Sequence, residues 1–390
     1  MGPLHGIRVL DMSVMISGPL AAMVLAEQGA DVIKVESPGL GDLMRFLGSN
    51  KAGMTGIFAG TNRGKRSLVV DVKMAAGLDI VRRLVANTDV LIQNFRPGAM
   101  ERLGLGYDDL RLINPRLVYV SISGFGPDGP KSDQRVYDNV IQASSGLAAV
   151  QTDQTGAPSL FRTLLCDKVT SLTAAQAITA ALFARERGAA EGQHIVLAML
   201  DAAIAFLWPD SAMDVMLLDE DVTRTRTIGA GYNVTAFADG FAAVSAVSDS
   251  EFAGYFRALG HPELCDDERF ATMGQRMRHL RVLGPLLQQY ARATTLADFL
   301  AASAEHQVPA AAIVSLADLP DDEQVLHNGI FTVREHPLAG TIRDPQPAPR
   351  FSATPATLGD HAPSYGQHSD EIIAELGLDP AALRATGVIS

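Results

Sequence analysis

The chemistry-bearing residue that stands apart is Asp167, in "SLFRTLLCDKVTSLTAAQAITAALFARERG" (159–188), where an apolar approach turns into a long helical pattern. The ordinary role of an Asp at a helix start is to cap it, accepting backbone N–H bonds. A carboxylate held ionised by the helix dipole is also a competent nucleophile, so both roles stay open on the residues alone. Other candidates have equally ordinary defaults. Arg102 in "NFRPGAMERLG" can cover a helix face, Tyr137 and Asp138 can bond locally, and Lys73 can be a solvated charge. The nine histidines never pair at a ligand spacing and neither HExxH nor C-x-x-C occurs, so no metal site is expected. No Walker loop and no G-x-S-x-G elbow is present, which leaves carboxylate chemistry in front.

The elements that must position Asp167 read as a layered α/β fold. Over residues 7–123, strand-like "IRVLDM", "DVIKVE", "SLVVDV", "DVLIQN" and "RLVYVSIS" alternate with helix-like "PLAAMVLAEQGA" and "AAGLDIVRRLVANT". Such crossover units predict a Rossmann-like, doubly wound parallel sheet. In the first unit Ser17 is the expected cap, Pro19 suits the first turn, and Gly29 ends the helix before a strand that finishes at Glu36. "GFGPDGP" has G-x-G-x-x-G spacing at Gly124, Gly126 and Gly129, but Pro127, Pro130 and the polar "KSDQR" do not open the helix that a dinucleotide fingerprint requires.

From about residue 225 the pattern changes to strand, turn at Asp239-Gly240, strand, helix, which predicts a smaller α+β domain. The boundaries read as a large domain over 1–200, a linker over 201–229, the small domain over 230–325, and a Pro-rich return linker with a terminal helix over 326–390. The apolar "IVLAMLDAAIAFLW" (195–208) is too short for a bilayer and reads as a buried strand and helix.

The chain has 390 residues, 47% hydrophobic and 19% charged, as expected of a folded body of enzyme size. A net charge of -12 disfavours a nucleic-acid partner while allowing a local cationic site for a small phosphorylated molecule. Two cysteines, Cys166 and Cys265, suit a reducing compartment, and the N-terminus lacks the pattern of a secretory signal, so a cytoplasmic location is expected.

Four segments in order, "GIRVLDMSVMISGPLAAMVLAEQGADVIKVESPGLGDLMR", "NRGKRSLVVDVK", "NFRPGAMERLGLGYDDLRLINPRLVYVSISGFGPDGP" and "SYGQHSDEIIAELG", resemble the family III CoA-transferases, from about Gly6 to Val388. That family includes formyl-CoA:oxalate and carnitine CoA-transferases and the 2-methylacyl-CoA racemases. The resemblance implies that Asp167 is an aspartate nucleophile, passing through an aspartyl-acyl anhydride and an aspartyl-CoA thioester, with Tyr137 and Asp138 in support. It implies CoA contacts at Val14, Ser17, Val70, Lys73, Asn94, Phe95, Arg102, Leu103 and Arg135. Lys73, Arg102 and Arg135 are a sensible set for CoA phosphates. Acyl-CoA is then a substrate, together with a carboxylic acid, and no cofactor is permanently bound. The family architecture further implies an interlocked-ring homodimer, joined through the crossing segments that end near Gly229 and that run over about 325–365.

Departures narrow the reading. The formyl-CoA enzyme carries glutamine where this chain has Ile16, arginine where it has Ser37, and a glycine-only loop that "TRTIGAGYNV" does not reproduce, so oxalate is not the expected substrate. Racemases carry a histidine where this chain reads Tyr137-Asp138-Asn139-Val140, and a glutamate near Ser248. A two-base racemase cannot lose its histidine, because the proton leaves one face and returns on the other. A racemase-like isomerase and a CoA-binding protein without turnover remain the alternatives to transfer.

Overall fold

The computed structural model describes residues 1–152, 155–225 and 227–390. One residue of the loop at 225–234, Arg226, therefore lies outside the described residues. Two compact units are present, Met1–Ala212 with His327–Ser390, and Met213–Leu326.

The first unit is built on strands β1 (Arg8–Asp11), β2 (Asp31–Glu36), β3 (Lys65–Val69), β4 (Val90–Gln93), β5 (Val118–Ser123) and β6 (Gln193–Ala198). All pairs are parallel, in the order β3-β2-β1-β4-β5-β6, the doubly wound arrangement expected. Its order reverses between β1 and β4, so the crevice outside their carboxyl ends is where such folds bind ligands. Helix α1 (Ser17–Glu27) makes the first crossover and stops before Gly29, whose φ of 98° a side chain would resist. Ser17 does not cap it. Ile16 occupies the cap position and Ser17 begins the helix, fully surrounded, with its hydroxyl 3.5 Å from Asn94 Nδ2.

Helices α2 (Asp138–Ser144), α3 (Leu165–Glu186) and α4 (Met199–Ser211) follow β5 and flank β6. Helix α3 is 22 residues long and buries Ala174, Ala175, Ile178 and Ala181 in the core shared with α1 and β5. Small residues there allow close helix approach. Its far end is tied down by Arg185, which is buried and pairs with Asp89 at 2.7 Å while donating to the Arg116 carbonyl at 3.0 Å.

The segment expected as linker from residue 201 begins as α4, which places Met199 and Ala203 in this core, and the first unit accordingly continues to Ala212. The expectation of a buried strand and helix over 195–208 is corrected in the same place. β6 is an edge strand, and Val196, Phe206 and Trp208 are each about half exposed, at 48%, 56% and 46%. The Pro-rich tail holds an antiparallel hairpin, Phe331–His336 with Gly340–Pro345, followed by two short helices. Ile372, Ile373, Val388 and Ile389 from that tail complete the second core layer beneath β1–β5.

The second unit carries a three-stranded antiparallel sheet, Val234–Ala236, Phe241–Val244 and Ala310–Ala312, packed with helices, as the α+β pattern predicts. Ser248 caps the helix Asp249–Ala258 in a capping box with Glu251. That gives the residue near the racemase glutamate position a local structural role.

Under the sheet crevice lies a set of fully buried charges. Lys65 reaches from β3 to Asp11 at 2.7 Å, to the Pro19 carbonyl at 2.8 Å and to Asn62 at 2.8 Å. Lys34 on β2 contacts Asp42 at 2.9 Å and donates to the Ser13 carbonyl at 3.1 Å. Burial works against the Asp11 carboxylate, yet Lys65 and Lys34 together hold its pKa below the ordinary value. Removing one partner of such a set leaves an uncompensated charge, a cost of about 3–5 kcal/mol. Lys34→Met is therefore expected to lower stability by about that amount, seen as a lower urea midpoint, and Lys34→Met with Asp42→Leu is expected to recover part of the loss.

Candidate active site

The sequence suggests that Asp167 caps its helix, but the structure gives that job to another residue. Leu164 occupies the cap position of α3 and supplies no side-chain bond, so Asp167 is the third residue of the helix proper. Its free backbone N–H is accepted, at 3.0 Å, by Oδ1 of Asp138, which lies 29 residues earlier at the start of α2. Asp138 is buried, and its other oxygen accepts Gln142 Nε2 at 2.6 Å. Asp138 satisfies the helix end, and the Asp167 side chain is released from it.

The released carboxyl faces a cavity of about 650 Å³ that Tyr137 and Asp138 also line. Burial pushes its pKa from an ordinary 3.8 up to about 7, the Asp138 carboxylate adds to the rise, and the Ser17 backbone N–H offsets part of it. The sequence-based expectation of a carboxylate simply held ionised by a dipole is thus corrected. Apolar walls and a neighbouring like charge outweigh the helix N-terminus. The Asp167 carboxyl is poised near neutrality.

The Ser17 N–H reaches this carboxyl because the loop before α1 is tightly specified. Val14 donates its N–H to Asn94 Oδ1 at 2.9 Å, and Asn94 Nδ2 returns a bond to the Val14 carbonyl at 2.7 Å. Met15 sits in the left-handed region at φ 68°, with its N–H on Asp42 Oδ1 at 3.1 Å. A Cβ added at Gly18 would come within 2.3 Å of Ser13, so glycine alone lets the helix start this close to the loop. Asp42 in turn is held by Lys34, which connects the buried charges directly to the site.

Of the residues expected to contact CoA, Val14, Ser17 and Asn94 meet at the β1/β4 switch point. Phe95 follows on the same strand end and lines a second cavity of about 330 Å³ with Gln93, Gly98 and His194. Lys73, Arg102 and Arg135 are exposed on segments that follow β3, β4 and β5. Val70 and Leu103 differ from expectation. The Val70 side chain is fully buried in the core beneath the sheet, and Leu103 packs against the same core. Val70 has no accessible surface, backbone included, whereas Leu103 is half-buried and keeps part of its surface open. Ser37 is exposed and accepts the Tyr365 hydroxyl through its carbonyl at 2.7 Å.

Sequence reasoning missed the cavity wall contributed by Met15, Met44, Ile57 and Phe161, and also Arg162, the one cation among the described lining residues. A positive charge inside the apolar "SLFRTLLCD" is the signal that could have found Arg162.

The model of "CoA-transferase family III" matches residues 4–369. The chain belongs to that family. Family III CoA-transferases similar to it include the succinate–glutarate CoA-transferase of Agrobacterium fabrum, 34% identical with 96% of each chain covered. The succinyl-CoA:glutarate CoA-transferase of Mus musculus is 33% identical, covering 96% of this chain and 87% of that one. Among solved structures, a CAIB/BAIF family protein from Brucella suis superposes with a TM-score of 0.85 at 33% identity, over 96% of this chain and 99% of that one. Enzymes of this family use CoA thioesters as substrates. No helix among the described residues is long and apolar enough to cross a membrane.

Direct titration tests the electrostatics of this family III site. Isotope-edited NMR of the Asp167 carboxyl is expected to show a midpoint near 7. Asp138→Asn keeps an oxygen for the Asp167 N–H but removes the like charge, so the midpoint moves to lower pH while remaining above the ordinary 3.8, because burial persists. The raised value also makes the folded state lose stability as pH rises from 3.8 towards 7, since the unfolded chain releases that proton first.

Proposed function

We propose that the protein transfers CoA between an acyl-CoA donor and a free carboxylic acid, with Asp167 as the nucleophile. The observation that carries this reading is the division of labour at α3, where Asp138 accepts the helix N–H and leaves the Asp167 carboxyl in a cavity beside the Ser17 N–H. An Asp167 oxygen attacks the thioester carbonyl, the C–S bond breaks, and CoA departs as a thiolate from an aspartyl-acyl anhydride. The thiolate then attacks the aspartyl carbonyl, releasing the donor's carboxylate and leaving an aspartyl-CoA thioester. The acceptor carboxylate attacks that thioester, expels the thiolate and forms a second anhydride. Thiolate attack on its acyl carbonyl gives the new acyl-CoA and restores Asp167. Over the cycle one thioester replaces another of similar energy, the anhydrides being the activated intermediates, with no net proton transfer. The Ser17 N–H at the start of α1 is placed to favour negative charge on the reacting oxygens.

CoA is assigned to the switch-point crevice, with Val14, Ser17 and Asn94 along its arm, Phe95 beside them, and Lys73, Arg102 and Arg135 for phosphate. Leu103 is assigned a contact through its open part, and the fully buried Val70 is assigned none. The half-exposed apolar side chains of β6 and α4 support a homodimer in which these segments are covered by a second copy, interlocked as in the family architecture. The two free cysteines suit a reducing cytoplasmic setting.

Asp167→Asn tests this reading, because an amide of nearly the same shape keeps the packing and cannot form the anhydride. Transfer is expected to fall by orders of magnitude with the fold intact, and a variant retaining more than about a tenth of the rate, a barrier change under ~1.4 kcal/mol, rules out covalent catalysis here. Hydroxylamine added during turnover is expected to convert this one side chain to a hydroxamate, read by peptide mass. For the dimer, sedimentation is expected to show a species that does not dissociate on dilution; a folded monomer at low concentration contradicts the interlock.

A further inference from the structure

We infer that the acyl group handled at Asp167 is an apolar aliphatic chain ending in no second charge, and that Ile16, Met44 and Ile57 set this preference. The inference rests on the transfer reading above and concerns the class of acid. None of the residues assigned to CoA lines the cavity at Asp167, so that cavity is the acyl side of the nucleophile.

Its wall is the accessible face of a hydrophobic cluster. Ile16 and Met44 are 4% and 3% exposed within that cluster, and Met15 and Ile57 pack on it. Leu43 and Leu47 add apolar surface that is about half open, at 46% and 49%. Two of the polar lining groups, Gln142 and Asp138, are already committed. Gln142 Nε2 donates to Asp138 Oδ2, to the Phe161 carbonyl and to the Thr163 carbonyl, and its Oε1 accepts the Phe161 N–H at 2.8 Å. Both Asp138 oxygens are occupied by Gln142 and the Asp167 N–H.

A dicarboxylic acyl group with one end at Asp167 would carry its second carboxylate past this wall. Two acidic groups already stand there, and Arg162, the one cation among the described lining residues, is exposed. A second carboxylate held against the apolar wall, away from the solvent-facing Arg162, is strongly disfavoured, whereas each buried methylene is favourable. Relatives named for succinate and glutarate therefore differ from this chain in the acids they accept.

The test pairs acids of equal length: butanoate with succinate, pentanoate with glutarate, hexanoate with adipate. CoA transfer to each is followed by mass spectrometry, and binding of hexanoyl-CoA and adipyl-CoA is measured by calorimetry. The expected result is at least a tenfold preference for every monocarboxylate over its partner, with transfer to the monocarboxylates themselves rising about fourfold per methylene. Ile16→Gln, or Ile57→Ser if the first variant folds poorly, is expected to shrink that preference at least threefold. Transfer that favours the dicarboxylates, or treats the pairs alike, overturns the inference while leaving CoA transfer standing. An absence of both transfer and acyl-CoA binding across the panel overturns the transfer reading itself, and this inference with it.

Discussion

Everything at the candidate site depends on charges that water never reaches. Lys65 and Lys34 emerge from adjacent strands into the space beneath the loop that joins β1 to α1, and they meet Asp11 and Asp42 there. Isolated, any one of these four would be an expensive guest in the core. Together they form a rigid bracket, because a charge in a low-dielectric setting tolerates little displacement from its partner. The bracket grips backbone, not only side chains: the Ser13 and Pro19 carbonyls and the Met15 N–H all end on it. The left-handed Met15 and the close approach of α1 are conformations that an unsupported loop would relax away from.

Asp138 and Asp167 show how one fold gives two neighbouring carboxylates different roles. Both stand in the first turn of a helix and both line one cavity. Asp138 is buried with its oxygens engaged by a side-chain amide and a backbone amide. Asp167 has apolar neighbours and one backbone donor, so burial dominates its ionisation. At Asp167 the helix N-terminus is outweighed by that burial, and the carboxyl is left without the side-chain amide partner that Asp138 has.

The first crossover was legible because each local signal agreed with the global fold: alternating apolar runs, Pro19 in the first turn and Gly29 at the helix end. The cap on α3 was not, since its acceptor comes from 29 residues away and no window of sequence contains both partners. Lys34 and Lys65 were hidden for the same reason, although a lysine within "DVIKVE", a strand expected to be covered on both faces, is itself a sign of buried pairing. The hairpin at 331–345 was readable in principle, as "FTVREH" and "GTIRDP" flank a short turn, but the prolines around it mask the pattern. Val70 and Leu103 match contact positions of the family while their side chains turn into the core, a distinction that depends on which face of the chain is covered.

Helix α3 is anchored at both extremities, by Asp138 at its start and by Arg185 on Asp89 and the Arg116 carbonyl near its end, roughly 30 Å apart along the axis. A rod pinned in this way cannot swing its third residue to follow a reacting partner. In the proposed cycle the sulfur must visit two carbonyl carbons on either side of one bridging oxygen, first the donor's and then the aspartate's own. With the aspartate stationary, the travelling part is the pantetheine thiol, whose flexible arm supplies the reach that the protein withholds. The proposed cycle then asks for movement of the substrate's arm and none of helix α3.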